Sequence, residues 1–238
     1  LRISLRGFGA RAAFGIRGIK IIVDGIPETT PDGQGQLDNL PLGMLKNFEV
    51  LRGPSASLYG NASGGVIYLN TIDSLPDNQD IQFQYRIGDF GFKSYEINSS
   101  LKGEKTIAVI HLNRTLTNGF RLNSGFEQNI FNTKVNHILS SKSMLQLQLN
   151  YTNSPRAEDA GGITLENTEI DWRQARQRNI DYDTYESVKQ FKTGLKWNQE
   201  IGAFWDLESY GFYIYRDFLG KLPFENGGII DLNRNYYG

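Results

Sequence analysis

The strongest constraint on the fold of this chain is an alternation of apolar and polar side chains within residues 81–238. In residues 145–152, leucine or tyrosine alternates with glutamine, asparagine or threonine, and the same period recurs in 81–87, 95–102 and 191–197. Because successive side chains of a strand point to opposite sides, each stretch has one apolar and one polar face. The pattern predicts a mainly β chain with long antiparallel strands.

The connections between these strands alternate between short and long. The short connections fall at 102–105, 140–143 and 199–203. The long polar connections are 117–126, 153–184 and a loop that begins at Asp217. Short turns on one side and long loops on the other are typical of outer-membrane β-barrels. A soluble β-sandwich has similarly alternating strands, so the alternation alone leaves both architectures open.

Strand length and aromatic side chains favour the barrel. Several stretches are about a dozen residues long, close to the ~9–11 that cross a bilayer at a tilt, whereas globular strands usually have ~5–6. Trp197 and Trp205 flank one short turn, and Tyr151 is expected to end a strand on the opposite side. Aromatic residues at both ends match the interfacial girdles of membrane barrels. We expect about seven such strands in this chain.

Composition narrows the function classes. The 238 residues include 25 basic and 26 acidic side chains and no cysteine. A net charge of -1 offers no basic stripe for nucleic acid, and the lack of cysteine excludes disulfides and thiolate metal sites. His111 and His137 are the only histidines, and no nucleophile elbow, zinc-protease or dinucleotide-binding motif occurs. We therefore expect no catalytic residue, no metal site and no cofactor.

Residues 1–72 have a different character, with short apolar runs separated by glycines. The expected elements are a strand at 19–23, a short helical piece at 42–46, and strands at 48–51 and 66–70. Short strands, short helices and tight turns suggest a small α+β unit. We predict one domain in 1–72, a linker at 73–80, and a second domain in 81–238.

Five short motifs in residues 1–72 carry a resemblance to a known family. They are Leu5-Arg6-Gly7-Phe8-Gly9, Val23-Asp24-Gly25-Ile26-Pro27, Val50-Leu51-Arg52-Gly53-Pro54, Ser57-Leu58-Tyr59-Gly60 and Gly64-Gly65-Val66-Ile67. In order and spacing they closely resemble the second half of the plug domain of TonB-dependent outer-membrane receptors. The alternating strands that follow are an independent signal and fit the barrel that encloses the plug in this family.

The resemblance implies a fold and a mode of action. In the family, the plug lies inside a barrel of about 22 strands, and ligand binds at the outer mouth. Energy comes from the TonB-ExbB-ExbD complex through a short box near the N-terminus of the plug. The expected fold is therefore the C-terminal part of an α+β plug followed by the first strands of an incomplete transmembrane barrel. The coupling box is expected before Leu1 and the closing strands after Gly238.

The polar loop 31–36 is the best candidate for ligand contact. It resembles a Tyr-Gly-Gln-Pro-Gln stretch of ferric citrate receptors, whose glutamines contact ligand. Gln34 and Gln36 match those glutamines, and Asp32 replaces the aromatic residue. Amide groups suit an oxygen-rich chelate, whereas the charge of Asp32 disfavours ferric citrate itself. With two arginines at a neighbouring apex, the candidate ligand-binding residues are Asp32, Gln34, Gln36, Arg11 and Arg17.

Two further arginines have a structural role in the family. Arginines at the motif positions of Arg6 and Arg52 lie on the plug surface and pair with barrel glutamates, which are expected beyond residue 238. The planar guanidinium suits such pairing because it engages carboxylates with two parallel hydrogen bonds. The long polar stretch 153–184 carries mixed charges, so it fits either a loop that closes over ligand or a solvated surface loop.

The expected function is TonB-dependent uptake of a scarce ligand across the outer membrane of a Gram-negative bacterium. A ferric siderophore or a ferric citrate-like chelate is the leading ligand. The expected partners are the TonB-ExbB-ExbD complex, membrane lipid and lipopolysaccharide, with no nucleic acid. The alternatives are a receptor of the same fold for cobalamin, another metal chelate or an oligosaccharide, and an outer-membrane barrel without transport activity.

Overall fold

The computed structural model describes residues 3–5, 7–8, 16–31, 33–35, 37–53, 59–60, 62–75, 81–226 and 228–238. The strands of its first part, the N-terminal unit (residues 3–75), are β1 (Ile16–Arg17), β2 (Ile19–Val23), β3 (Ile26–Pro27), β4 (Gln34–Gly35), β5 (Leu45–Arg52) and β6 (Gly65–Thr71). Four of them form one sheet in the order β3-β2-β6-β5, and β1 pairs with β4. A short 3-10 helix, Leu42–Met44, precedes β5.

Strand β2 lies inside the four-stranded sheet because its run of isoleucine and valine can be buried on both faces. It runs parallel to β6, with Ile21 opposite Ile67, and antiparallel to β3. The main apolar core consists of Ile16, Ile19, Ile21, Val23, Leu40 and Leu69. Complete burial of each large aliphatic side chain contributes about 1.5–3 kcal/mol. The N-terminal unit is thus built around an ordinary apolar core.

The remaining strands form a second, larger structure, the long sheet. Its strands are β7 (Ile81–Ile87), β8 (Lys93–Lys102), β9 (Thr106–Thr117), β10 (Phe126–Ser140), β11 (Ser143–Glu158), β12 (Tyr185–Ile201), β13 (Trp205–Lys221) and β14 (Ile229–Tyr237). Each strand pairs antiparallel with the next along the chain. The mainly β fold with a small N-terminal unit and long antiparallel strands confirms the fold class predicted from the sequence.

The two faces of the long sheet have the chemistry expected from the alternation, but the buried face is the polar one. On β11, Gln146, Gln148, Asn150 and Thr152 are all at most 8% exposed, because the N-terminal unit covers this face. On the opposite face, the neighbouring strand exposes 47% of Leu195. A sheet of a water-soluble protein has the reverse arrangement. An apolar outside and a polar inside are the arrangement of membrane barrels.

Three details of the long sheet differ from the sequence prediction. Strand β13 continues past Asp217, which pairs with Lys189, to Lys221. An eighth strand, β14, follows it. Tyr151 lies inside β11 rather than at its end, opposite Phe131 and Phe191. The prediction of these ends was wrong because backbone pairing continues through polar residues, whose side chains carry no signal for where a strand stops.

The predicted turns at 102–105, 140–143 and 199–203 all connect adjacent strands. The predicted linker lies partly outside the described residues, which resume at Ile81, so the domain boundaries stay predictions. Within the described part of the chain, no helix has the length and apolar character needed to cross a membrane.

The loops at the end of the sheet opposite the short turns are folded. The loop 159–184 contains α1 (Leu165–Ile170) and α2 (Gln177–Asp181). Arg121 of the loop 118–125 donates from Nη1 to Gly161 O at 2.7 Å and from Nε to Gln174 O at 2.9 Å. These bonds join the two loops into one assembly, the outer loop assembly.

Candidate functional site

A cavity of about 1040 Å³ lies between the N-terminal unit and the polar face of the long sheet. One wall of the cavity consists of strands β1 and β4 and the segment 37–43. The other wall consists of side chains from all eight strands of the long sheet. Its charged lining residues are Arg17, Asp38, Arg86, Glu96, Glu186, Arg216 and Arg234. The volume is at the upper end of the range for small-molecule sites, ~300–1,000 Å³.

Two of the predicted ligand-binding residues lie side by side at this cavity. Arg17 in β1 is the Cα partner of Gln34 in β4. From the opposite wall, Arg234 donates from Nη1 to Oε1 of Gln34 at 3.5 Å, a long and therefore weak hydrogen bond. Within the described residues, no carboxylate lies within ion-pair distance of either arginine.

A third arginine of the cavity is already paired. Arg216 on β13 donates from Nη2 to Oδ2 of Asp38 at 2.7 Å and from Nη1 to Oδ1 at 3.3 Å. The same Nη1 donates to Oε1 of Gln190 at 2.8 Å, and Gln128 donates to the backbone oxygen of Asp38 at 2.7 Å. The Arg216 side chain is 6% exposed and that of Asp38 33% exposed. This contact fixes Asp38 against the wall.

A polar network lies at another part of the cavity wall, with Glu96 and His111 buried and Arg86 exposed. Arg86 and Glu96 form an ion pair of 2.5 Å, and Nε2 of His111 lies 3.7 Å from the second oxygen of Glu96. Nδ1 of His111 is hydrogen-bonded to Asn132 at 3.0 Å. Gly43 of the N-terminal unit packs directly on this network, since a Cβ atom there would lie 2.2 Å from His111 Nε2. Close packing of the two parts requires a glycine at this position.

Further ion pairs hold the N-terminal unit against the long sheet. Lys192 on β12 pairs with Glu28, and both side chains are 4% exposed. Lys134 on β10 lies 3.0 Å from Asp73 and 3.5 Å from Asp24. In these pairs, the acidic residue belongs to the N-terminal unit and the basic residue to the sheet. A buried charge of this kind is tolerated only when it is paired.

The ion pairs predicted for Arg6 and Arg52 have the reverse distribution of charge: the basic residue lies on the plug and the acidic residue on the barrel. Arg52 is exposed at the end of the edge strand β5, and Arg6 lies outside the described residues. The role of both arginines stays a prediction. The ion pairs described above are an additional set that sequence reasoning missed.

Of the five predicted ligand-binding residues, Arg11, Asp32 and Gln36 lie outside the described residues. Sequence reasoning missed Asp38, Arg216 and Arg234. Arg216 shares its strand phase with Ile214 and Phe218, and Arg234 shares its phase with Ile230 and Leu232, so the alternation does not predict that these arginines face inward. The sequence offers no signal for Asp38 either, because its position depends on how the N-terminal unit docks.

The stretch 153–184 forms the end of β11 and most of the outer loop assembly, and both interpretations of its role stay predictions. Arg156 pairs with Asp183 and Glu158, and Asp183 also contacts Lys221 at 3.4 Å. The hydrogen bond from Arg156 is the main cause of a pKa of Asp183 below its ordinary value. Within the described residues, no group of three or more histidine, aspartate or glutamate side chains is placed to hold a metal ion.

Comparisons with known proteins identify the N-terminal part. Residues 1–66 match the family model described as the TonB-dependent receptor plug domain. These matched residues are called the plug of this chain. The plug of this chain therefore carries the five motifs from which the family was predicted, and the recognition made from the sequence is confirmed.

Solved structures with a similar fold superpose on nearly the whole chain. The unliganded ferric citrate transporter FecA superposes with a TM-score of 0.73 over 100% of this chain and 38% of its own, at 20% identity. The ferric-catecholate import receptor Fiu from E. coli K12 gives 0.67 over 99% of this chain and 38% of its own, at 15% identity. At sequence identities this low, the superpositions show a shared fold alone.

The sequence relatives include the hemin receptor of Yersinia enterocolitica. It is 34% identical over 106 residues, which are 42% of this chain and 15% of that protein. The hemin receptor of Yersinia pestis is 39% identical over 73 residues, 30% of this chain and 10% of that protein. The chain thus spans a minor part of the length of the relatives that it matches.

Proposed function

We propose that this chain is part of a TonB-dependent receptor that takes up an iron(III) chelate across the outer membrane of a Gram-negative bacterium. The observation that carries the proposal is the large cavity between the plug and the polar face of the long sheet. A plug that is held by ion pairs and borders such a cavity suits a pore that must stay closed until ligand binds. The names of the relatives, which include receptors for ferric citrate, ferric catecholates and hemin, support an iron chelate as cargo.

The charges of the cavity favour an anionic chelate, because its four arginines outnumber its three carboxylates, which are Asp38, Glu96 and Glu186. Asp38 and Glu96 are each paired with an arginine, whereas Arg17 and Arg234 have no acidic partner among the described residues. An arginine presents a planar set of donors that matches carboxylate and other oxyanion groups. Gln34 lies between these two arginines and adds an amide donor and acceptor. Arg11, Asp32 and Gln36 complete the proposed ligand site.

The same proposal assigns the remaining partners. The receptor would draw energy from the TonB-ExbB-ExbD complex. Lipid and lipopolysaccharide would contact the apolar outer face of the long sheet, on which Leu195 and Trp197 are exposed. Arg6 and Arg52 would contact barrel glutamates of the complete receptor.

The test is uptake of radioactive iron by a strain that depends on the full-length receptor. Iron(III) citrate, an iron(III) catecholate and hemin are supplied separately, with and without TonB. We expect TonB-dependent uptake of at least one of them. Equal uptake with and without TonB, or no uptake of any of the three, would contradict the proposal.

The ligand site is tested in the same strain. Arg17→Ala and Gln34→Ala are expected to weaken binding of an anionic chelate by about tenfold each, because each removes a hydrogen bond to a charged group. Lys142→Ala is the control, since Lys142 is exposed in the short turn at the opposite end of the sheet. Binding that is equally strong in all three variants would remove Arg17 and Gln34 from the site.

A further inference from the structure

Asp38 is placed where the carboxylate of a ligand would be expected. Its two oxygens accept hydrogen bonds from the two terminal nitrogens of Arg216, at 2.7 and 3.3 Å. This is the two-point geometry with which arginine binds free carboxylates. The Arg216 guanidinium faces the cavity and is held from the side by Gln190, so it is a preformed anion site.

Three basic side chains of the long sheet bind acidic side chains of the plug, but they differ in their access to the cavity. The Lys192–Glu28 and Lys134–Asp24 pairs are almost completely buried. Among these three, only the pair of Arg216 and Asp38 lines the large cavity. It is also the one whose acidic member is a third exposed. A ligand in the cavity could therefore reach this pair and not the other two.

We propose that Asp38 is an internal competitor for the ligand: it occupies the anion site of Arg216 until an anionic chelate displaces it. This inference rests on the proposed function and describes how ligand binding at the same cavity is regulated. Anionic ligands would exchange places with Asp38, whereas neutral ligands of the same size would not. Only a ligand with an oxyanion group can replace Asp38 at the Arg216 guanidinium, so Asp38 is a specificity-determining residue.

Displacement would also act on the plug. The backbone of the same segment is attached to the sheet by Gln128, which donates to Asp38 O, and by Asn150, which donates to Asn39 O at 3.3 Å. Asn39 in turn donates to the buried Glu28 at 3.0 Å. A displaced Asp38 would be repelled by the anion that replaces it and would strain these bonds. Ligand binding would therefore loosen the plug segment 38–44 from the sheet.

The experiment uses the full-length receptor in detergent, with Asp38→Asn and the matched variant Asp73→Asn. Asp73 also pairs with a basic residue of the sheet, Lys134, but does not line the large cavity. The probes are citrate, iron(III) citrate and an uncharged iron(III) hydroxamate complex. Amide hydrogen exchange of residues 38–44 reports the loosening, and calorimetric titration reports affinity.

Citrate and iron(III) citrate are expected to accelerate exchange of residues 38–44 in the unmodified receptor, and the uncharged complex is expected not to. Asp38→Asn should show the fast exchange without any ligand and should bind the anionic probes about tenfold more tightly. Asp73→Asn should behave like the unmodified receptor in both measurements.

Anionic probes that bind without changing exchange at residues 38–44 would overturn the inference, and so would equal affinities in both variants. These results would leave the proposed function intact, because uptake of iron is measured separately. Conversely, citrate alone can displace Asp38 even if the receptor carries another cargo, so a failure of iron uptake would not produce a failure here.

Discussion

The plug and the long sheet bury opposite classes of side chain. The plug buries isoleucine, valine and leucine at its centre, as a water-soluble domain does. The long sheet buries glutamine, asparagine, threonine and lysine, and exposes leucine and aromatic side chains. The difference shows that each part is adapted to a different solvent, and that the surface between them must satisfy polar groups from both. Ion pairs and amide hydrogen bonds perform this task.

The strongest test of this contrast is the buried pair of Lys192 and Glu28. Lys192→Met leaves the Glu28 carboxylate buried without its cation, which should destabilise the docked plug by about 3–5 kcal/mol. Denaturant-induced unfolding of the plug in the full-length receptor, followed by hydrogen exchange in β2 and β6, measures the loss. The double variant Glu28→Gln/Lys192→Met should recover most of it, and a double variant as unstable as the single one would refute the interpretation.

A second test compares apolar residues of the two parts. Ile19 is completely buried in the plug core, so Ile19→Ala should cost about 2–5 kcal/mol of plug stability. Leu147 lies on the apolar face of β11, where lipid tails would fill the space left by Leu147→Ala, so about 1 kcal/mol or less is expected. Thermal unfolding of both variants decides the matter, and equal losses would mean that the sheet face packs like a protein core.

The tight packing of the plug on the sheet gives a third prediction. Gly43→Ala would introduce a Cβ atom 2.2 Å from His111 Nε2 and 2.9 Å from Glu96 Oε1. Overpacking of this kind should destabilise the interface by about 1–3 kcal/mol. The control is Gly162→Ala, because no atom lies within 4 Å of a Cβ at that position. Chemical unfolding of the plug should respond to the first change and not to the second.

The smallest effect is expected in the outer loop assembly, which is exposed to water. The hydrogen bond from Arg156 lowers the pKa of Asp183 below its ordinary value of 3.8. A lowered pKa means that the pair contributes stability above about pH 4, and that the contribution is lost as the pH falls through the folded-state value. Protection of residues 159–184, corrected for intrinsic exchange, should therefore fall below that pH in the unmodified receptor.

Asp183→Asn should remove this pH dependence, whereas Asp181→Asn should leave it in place. Asp181 accepts a hydrogen bond from Gln177 within α2 and contacts no basic group that the structure describes. A pH response that survives in Asp183→Asn would show that another group of the loop assembly is responsible.

Much of the fold could be predicted because it follows from local chemistry. Residues 145–152 alternate in polarity, and this alternation assigned the two faces of β11 before any contact was known. The plug strand Ile19–Val23 was recognisable from its isoleucines and from the Asp-Gly turn that follows. The strand ends were less predictable: β13 runs past Asp217 because hydrogen bonds to β12 continue there.

The sequence predicted only some of the residues of the candidate site. Arg17 and Gln34 were proposed as ligand contacts, and β1 and β4 do bring them together. Arg234, 200 residues away from Gln34 in the chain, reaches the same position from the far side of the cavity. Nothing in the local sequence of either residue indicates this approach.

The sequence by itself determined which side chains face inward where polarity alternates clearly, as on β11, and its plug motifs indicated the family. Only the tertiary structure decided which inward charges meet, such as Asp38 with Arg216 and Glu28 with Lys192. The reason is physical. Strand faces depend on a period of two along a short stretch of chain, whereas an ion pair between plug and sheet depends on docking, which combines contacts from residues far apart in sequence.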